Sequence, residues 1–442
     1  MVKRILYENL IKWKEQRVRK PLLLQGARQV GKTYLLKEFG SNEYENYAYF
    51  NFEETPDLKS LFSSTLDPKV IVELLSAFLG EKIRPNSTLI IMDEIQEFPR
   101  ALTSLKYFCE QAPEYHITAA GSLLGVSVGK TSSFPVGKVN FMTLYPMSFF
   151  EYLISQGEKM LIDLVVKNTK WNSLPEVFHQ KLLRFFKFYL FLGGMPEVVN
   201  NYIENQDIKT VRKIQKEILK AYERDFSKYT TASESIRISE VWLSIPSQLA
   251  KENKKFKYSD IIKGGRASRF ESAIEWLRKA GLIYTVYNIK TAKLPLGGYA
   301  DRGKFKLFMV DTGLLGAKLD ISSQIIIEGN KLFSEYNGAF IENYVATELI
   351  RRGFEDLFYW SSNGEAEVDF VVTCNEKILP VEVKSGYSRK TKSLKIFSEK
   401  FNPKYRYRFS PRNYIQDNDF INIPLYGCGY FIRKDTKINN LS

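Results

Sequence analysis

Gly26-Ala27-Arg28-Gln29-Val30-Gly31-Lys32-Thr33 satisfies the spacing G-x-x-x-x-G-K-[ST], whose chemistry is phosphate binding. Its glycines permit backbone turns that point several N–H groups inward, making a concave nest for an anion. A helix beginning there adds its dipole and its free N–H groups. Lys32 is placed to reach the β- and γ-phosphates, and the Thr33 hydroxyl to bind magnesium. The segment therefore predicts ATP and Mg2+ as ligands, with Arg28 near the phosphates.

A second element fits the first. Leu89-Ile-Ile-Met92 is an apolar run ending in Asp93-Glu94. At the C-terminal end of a strand, Asp93 would hold the magnesium shell and Glu94 would orient or deprotonate the attacking water. An Asp-Glu pair after a strand also serves as a helix N-cap, but beside a P-loop the catalytic reading prevails. The next strand, Tyr115 to Ala120, runs into Gly121-Ser122. Ser122 is a candidate sensor of the γ-phosphate, or an ordinary turn residue.

A second constellation lies far downstream. Glu367-Val-Asp369-Phe-Val-Val372 and Pro380-Val-Glu382-Val-Lys384 are β-patterned. Alternation puts Glu382 and Lys384 on one face, with Asp369 on the neighbouring strand and Glu342 on the preceding helix. Carboxylates so placed bind magnesium, and a nearby lysine activates water or stabilises a pentavalent phosphate. The spacing resembles the PD-(D/E)xK nuclease core. Cross-strand ion pairs are the alternative, and an intact set also suits a domain that grips nucleic acid without cutting it. The stretch Arg389 to Arg412, basic and interleaved with Phe397, Tyr405, Tyr407 and Phe409, adds to the nucleic-acid reading.

These residues need elements to hold them. Pro21–Gln25, Tyr47–Phe52, Thr88–Met92 and His116–Ala120 read as strands. Helical stretches at Tyr34–Phe39, Val70–Leu79 and Leu102–Gln111 alternate with them. Such alternation implies a parallel sheet covered on both faces. Ile5, Leu6, Leu10, Ile11 and Trp13 fall near helical spacing, predicting an amphipathic N-terminal helix. Lys181–Phe191 and Ile208–Tyr222 are helical around a Gly193-Gly-Met-Pro196 turn. Val241–Leu249, Tyr258–Ile262 and Ser268–Ala280, followed by β-rich Leu282–Ile289, describe a winged helix-turn-helix or a generic helical adaptor. The charge runs Lys251–Lys257 and Lys263–Arg269 there suit phosphate contact, or simply solvated faces. Beyond Phe305 the pattern is mixed: a helix at Glu335–Arg352, then strands at Leu357–Trp360, Glu367–Val372 and Ile378–Lys384.

The 442 residues are 44% hydrophobic and 14% aromatic, with a net charge of +14. That composition supports several packed cores, and the charge favours a polyanionic partner. Cys109, Cys374 and Cys428 lie far apart and there are two histidines, which argues against structural zinc and a disulfide framework. No apolar run approaches the ~18–20 residues that span a bilayer, and no signal-peptide pattern opens the chain. A soluble, cytoplasmic protein without membrane contact is expected.

The chain resembles prokaryotic AAA-type ATPases with a C-terminal nuclease-like domain. The resemblance rests on Gly26–Thr33, Asp93-Glu-Ile-Gln96 and Ser122, then on Phe134-Pro-Val-Gly-Lys138, Leu144-Tyr-Pro-Met-Ser-Phe149 and Gly193-Gly-Met-Pro-Glu197. Asp225-Phe-Ser-Lys228, Asp311-Thr-Gly-Leu-Leu315, Glu342-Asn343 and Glu382-Val-Lys384 continue it. It implies an α/β P-loop NTPase core over residues 1–155, a helical lid over 156–232 and a winged helix over 233–295. Residues 296–442 would form a restriction-endonuclease-like α/β domain of the PD-(D/E)xK type. The partners expected are ATP and nucleic acid, DNA rather than RNA, and a homo-oligomer is left open.

Overall fold

Leu22–Gly26 (β1), Asn46–Asn51 (β2), Thr88–Asp93 (β3), His116–Ser122 (β4) and Asn140–Thr143 (β5) form one sheet in the order β2-β3-β4-β1-β5. Every pairing is parallel. All six residues of β3 are buried, as expected of a strand covered on both faces. The computed structural model describes residues 3–122, 137–251, 253–322, 331–362, 366–388 and 390–431, with backbone alone at Ser122 and 331–337. It contains two compact units. One is Lys3–Tyr145 with Lys279–Gly281; the other comprises Pro146–Arg278 and the chain from Leu282 onward.

In the first unit, the helices Lys32–Glu43, Leu58–Ser64, Pro68–Leu79 and Pro99–Gln111 connect the strands. Phe50, Phe52, Phe62, Ile71, Leu75, Ile90, Met92 and Leu105 pack into a continuous core. The four predicted strands and three predicted helices of this region are all present. The N-terminal helix is Tyr7–Lys14, with Leu10 and Trp13 buried. β5 and the helix Leu58–Ser64 were not predicted; both are short and lack a clear period. Gly26 pairs with Ser122 and Asn51 with Asp93. The C-terminal strand ends therefore line up along one edge, where open α/β sheets bind ligands.

The second unit carries a helical part, including Glu176–Leu192, Pro196–Asn205, Ile208–Lys228 and Ala232–Leu249. It also carries an eight-stranded mixed sheet. Its strands are Ile283–Ile289 (β6), Ala300–Met309 (β7), Leu357–Ser361 (β8), Glu367–Cys374 (β9), Lys377–Val383 (β10), Arg406–Ser410 (β11), Ile415–Asp417 (β12) and Phe420–Pro424 (β13). The order is β12-β13-β11-β10-β9-β8-β6-β7.

Two sequence expectations change here. The helix, one 3-10 turn at Tyr258–Asp260, helix Ala267–Lys279 and antiparallel β6–β7 ribbon occur in the predicted order. However, β6 also pairs in parallel with β8, so the ribbon is part of the large sheet and the expected boundary at 295/296 falls inside it. Three of the four aromatic residues expected to interleave the basic stretch also belong to the core, Tyr405 alone being half-buried. Phe397 and Phe409 are fully buried and Tyr407 nearly so, on the helix Lys392–Phe401 and on β11. Arg389 lies outside the described residues, as do Phe134, Pro135 and Val136.

Several motif residues build this unit rather than a site. The Asp311 carboxylate accepts from Gly194 N at 2.6 Å and from Leu314 N at 2.9 Å. A Cβ at Gly194 would lie 2.1 Å from the Met147 carbonyl oxygen, so the backbone approach there requires glycine. Asn343, fully buried, donates to Met309 O at 3.0 Å and accepts from Met309 N at 2.7 Å, fixing the last residue of β7 to its helix. Ser148 and Glu151 form a capping box at the start of Phe149–Ser155.

His116 opens β4 in the first unit, its Nδ1 2.8 Å from the Tyr44 hydroxyl and its ring against Trp13. Burial, then Arg19 and Lys14, push its pKa down to about 4. The unfolded chain takes up the proton first, so this stability is complete above about pH 6.5 and is lost as pH falls toward 4. The loss should be on the order of 2–3 kcal/mol. Urea unfolding across that range should show it, and His116→Gln, which keeps a polar partner for Tyr44 without titrating, should flatten the slope by about that amount.

Candidate functional site

The loop leaves β1 at Gly26, where a Cβ would lie 2.2 Å from the Leu144 carbonyl oxygen. Gln29 and Gly31 then take positive φ of 64° and 92°, turning the backbone N–H groups toward the concave side before the helix starts at Lys32. The Lys32 Nζ donates to Gly26 O at 3.1 Å and to Ala27 O at 3.0 Å. Burial lowers its pKa more than Glu94 and Asp93 raise it. The predicted phosphate loop, Gly26, Ala27, Arg28, Gln29, Val30, Gly31, Lys32 and Thr33, is thus assembled. The Arg28 guanidinium lies 3.4 Å from Glu53.

Asp93 ends β3 and is 3% exposed. Its Oδ2 accepts from the Thr33 hydroxyl at 2.7 Å and from the Tyr49 hydroxyl at 2.9 Å, while Oδ1 accepts from Glu94 N at 3.0 Å. Two hard oxygen donors facing each other at the mouth of an anion nest suit Mg2+. Glu94 follows with a left-handed backbone, φ 49°. Burial raises its pKa, and a hydrogen bond from Gln96 Nε2 opposes that rise. The Gln96 Oε1 is itself buried and has no partner among the described residues. An orphaned acceptor of that kind costs about 1–3 kcal/mol. The Ser122 backbone sits opposite Gly26 at the end of β4; its side chain lies outside what the structure describes.

Two residues here were missed by sequence reasoning. Tyr49, on β2, reaches Asp93, and the Lys37 ammonium lies 3.5 Å above its ring. Only the sheet order reveals that neighbour. Arg4, 7% exposed, donates to Val30 O at 2.8 Å and to Tyr145 O at 2.5 Å. It ties the phosphate loop to the chain leaving β5. A lone arginine near the N-terminus carries no sequence signal for such a bond.

The second constellation is only partly gathered. Glu382, 2% exposed, pairs with Lys384 at 3.0 Å, as the shared strand face predicts. Its other oxygen has no partner among the described residues. Asp369 accepts from Val383 N at 2.7 Å on the adjacent strand. Burial, and then the charge of Glu342, raise its pKa above the usual carboxylate range.

Glu342 does not stand free. Lys254 bonds to it directly and the Lys306 ammonium lies 3.5 Å away. Lys306 is 1% exposed and also pairs with Glu367 at 2.7 Å. Burial alone would lower its pKa, but Glu342, Glu367 and Asp369 outweigh it and hold the ammonium charged. Among the described residues, no group of three or more His, Cys, Asp and Glu side chains is arranged to hold a metal. The basic runs expected to face phosphate are partly spent within the unit. Lys251 pairs with Asp260 at 2.8 Å, Lys254 with Glu342, and Arg269 with Glu240 at 3.2 Å.

Residues 18–153 match the family described as AAA domain. That match takes in most of the first unit, the Gly26–Thr33 loop included, and makes these residues similar to AAA-type ATPase domains. Residues 183–325 match the domain of unknown function DUF8612, and residues 337–426 match the domain of unknown function DUF4143. An uncharacterized protein of Methanocaldococcus jannaschii, MJ1544, is 25% identical over 391 residues, covering 85% of this chain and 78% of its own. Among solved structures, the Walker-type ATPase PABY2304 of Pyrococcus abyssi is 16% identical, with a TM-score of 0.46. That match covers 72% of this chain and 96% of PABY2304. AMPPCP-bound DnaA of Aquifex aeolicus is 14% identical with a TM-score of 0.30, over 62% of this chain and 88% of its own. Among the described residues, no helix is long and apolar enough to cross a membrane.

Arg4 predicts a measurable effect on nucleotide affinity. Arg4→Ala releases the Val30 carbonyl and should weaken ATP binding about tenfold, the scale of one lost charged hydrogen bond. Titration with a fluorescent ATP analogue checks this. An unchanged dissociation constant in a variant with a lowered melting temperature would leave Arg4 a purely structural role.

Proposed function

We propose that this chain hydrolyses ATP, with Mg2+, at the Gly26–Thr33 loop. The observation that carries the reading is the 2.7 Å approach of the Thr33 hydroxyl to the buried Asp93, with Glu94 next in the chain. Mg2+ bound by Thr33 and Asp93 would screen the phosphate charge. Lys32 binds and orients the β- and γ-phosphates, Glu94 takes a proton from water, and Ser122 reads the γ-phosphate. Lys32→Ala should abolish ATP binding. Glu94→Gln should bind ATP as the parent does and lose turnover by about 100-fold or more; turnover at the parental rate would remove Glu94 from the mechanism.

The nucleotide state is read by the rest of the chain in this proposal. Residues 156–232 act as a lid, the helices from 233 with the β6–β7 ribbon as a winged helix-turn-helix, and the large sheet that includes this ribbon as a restriction-endonuclease-like domain that contacts DNA in preference to RNA. The protein works in the cytoplasm, with self-association as one way to complete the ATP site. In the cleaving form of the proposal, Glu342 would have to exchange Lys254 and Lys306 for Mg2+ shared with Asp369 and Glu382, and Lys384 would stabilise the phosphate.

A second reading has its own support. Lys306 and Lys254 already neutralise Glu342 and Glu367, which favours a domain that grips nucleic acid without cutting it. Incubation of supercoiled plasmid with Mg2+ or Mn2+ separates the two. Nicking by the parent and not by Asp369→Ala supports cleavage. Intact plasmid, with DNA binding that weakens steeply as salt rises, supports the gripping domain.

A further inference from the structure

We propose that Gln96 positions the attacking water, together with Glu94, for the ATP hydrolysis proposed above. The inference rests on that reading and concerns a residue with no role in it so far.

Gln96 follows β3 in the single 3-10 turn Ile95–Glu97. Its Nε2 donates to Glu94 Oε2. The orientation of the amide is fixed by chemistry, because an amide oxygen turned toward an ionised carboxylate would repel it. The Gln96 oxygen is therefore the amide atom not turned to Glu94 Oε2, and it is buried without a donor among the described residues. Proteins keep such orphans where a ligand or a water supplies the missing proton. Glu94 is held beside it in the sparsely populated left-handed region, a strain that local packing must sustain.

The pair presents two acceptors, the other oxygen of the Glu94 carboxylate and the Gln96 amide oxygen. Water has two O–H bonds. Donating one to each acceptor fixes its orientation and leaves a lone pair to face the γ-phosphorus. The water oxygen then bonds to phosphorus, and the bond from phosphorus to the β,γ-bridging oxygen breaks with its electron pair leaving on ADP. One water proton passes to Glu94, and the other stays on the new phosphate. Gln96 exchanges no proton. Its N–H to Glu94 holds the base, and its oxygen holds the water.

The test compares the parent, Gln96→Met and Gln96→Ala. Methionine fills a similar volume without polar atoms, so it separates the lost acceptor from a lost shape. Both variants should bind ATP and ADP within about threefold of the parent and lose kcat by about 10–100-fold. They should also lose affinity for ADP with Mg2+ and aluminium fluoride, a mimic that keeps the attacking water in place. Gln96→Met should retain the parental melting temperature. Parental kcat in Gln96→Met overturns the proposal, as does a fall in turnover that only follows a fall in ATP affinity. A parent that binds ATP and never turns it over overturns the hydrolysis reading itself, a distinct outcome.

Discussion

Asp93 is a buried carboxylate, and burying a charge is costly unless every lone pair finds a donor. Three parts of the first unit answer it: the Thr33 hydroxyl at the start of the P-loop helix, the Tyr49 hydroxyl on β2, and the backbone of Glu94. β1 and β3 are not neighbours, since β4 lies between them. The bond from Thr33 to Asp93 therefore spans a strand and holds the phosphate loop against the end of β3. Without it, the loop and the two carboxylates would be separate features of one sheet edge.

The second unit solves a similar electrostatic problem differently. Its carboxylates are neutralised from inside, by ammonium groups on other elements. Lys306 on β7 serves Glu342 and Glu367, and Lys254 reaches Glu342 from beyond the helix Ala232–Leu249. Glu382 meets Lys384 just past the end of its own strand, while its register partner Arg408 bonds to Asn422 on β13 at 2.7 Å. Such pairs hold elements in register, and breaking one partner leaves a buried charge exposed to the full desolvation cost.

Much of the first unit was legible because its signals are local. An apolar run marks a buried strand, and glycines at fixed spacing mark the phosphate nest. Leu22–Leu24, Gly26–Thr33 and Asp93-Glu94 needed no tertiary knowledge. What stayed hidden depends on pairing between distant segments. Arg4 and Lys306 are single basic residues whose burial becomes sensible only beside a carbonyl or carboxylate supplied from elsewhere. The stretch after Lys384 shows the opposite error. Phe397, Tyr407 and Phe409 were read for the charges between them, when their spacing was that of a core helix and strand. Asp311 and Asn343 drew notice as motif residues, yet their bonds go to backbone groups.

The parallel pairing of β6 with β8 has a practical side. Among the described residues, β6 is the strand that pairs β7 to the other six strands of its sheet. A polypeptide begun after the ribbon's first strand would leave β7 without a strand partner and uncover the edge of β8. Bare edges of that kind recruit other chains. A C-terminal half expressed alone keeps β7 paired and β8 covered when it begins upstream of Ile283.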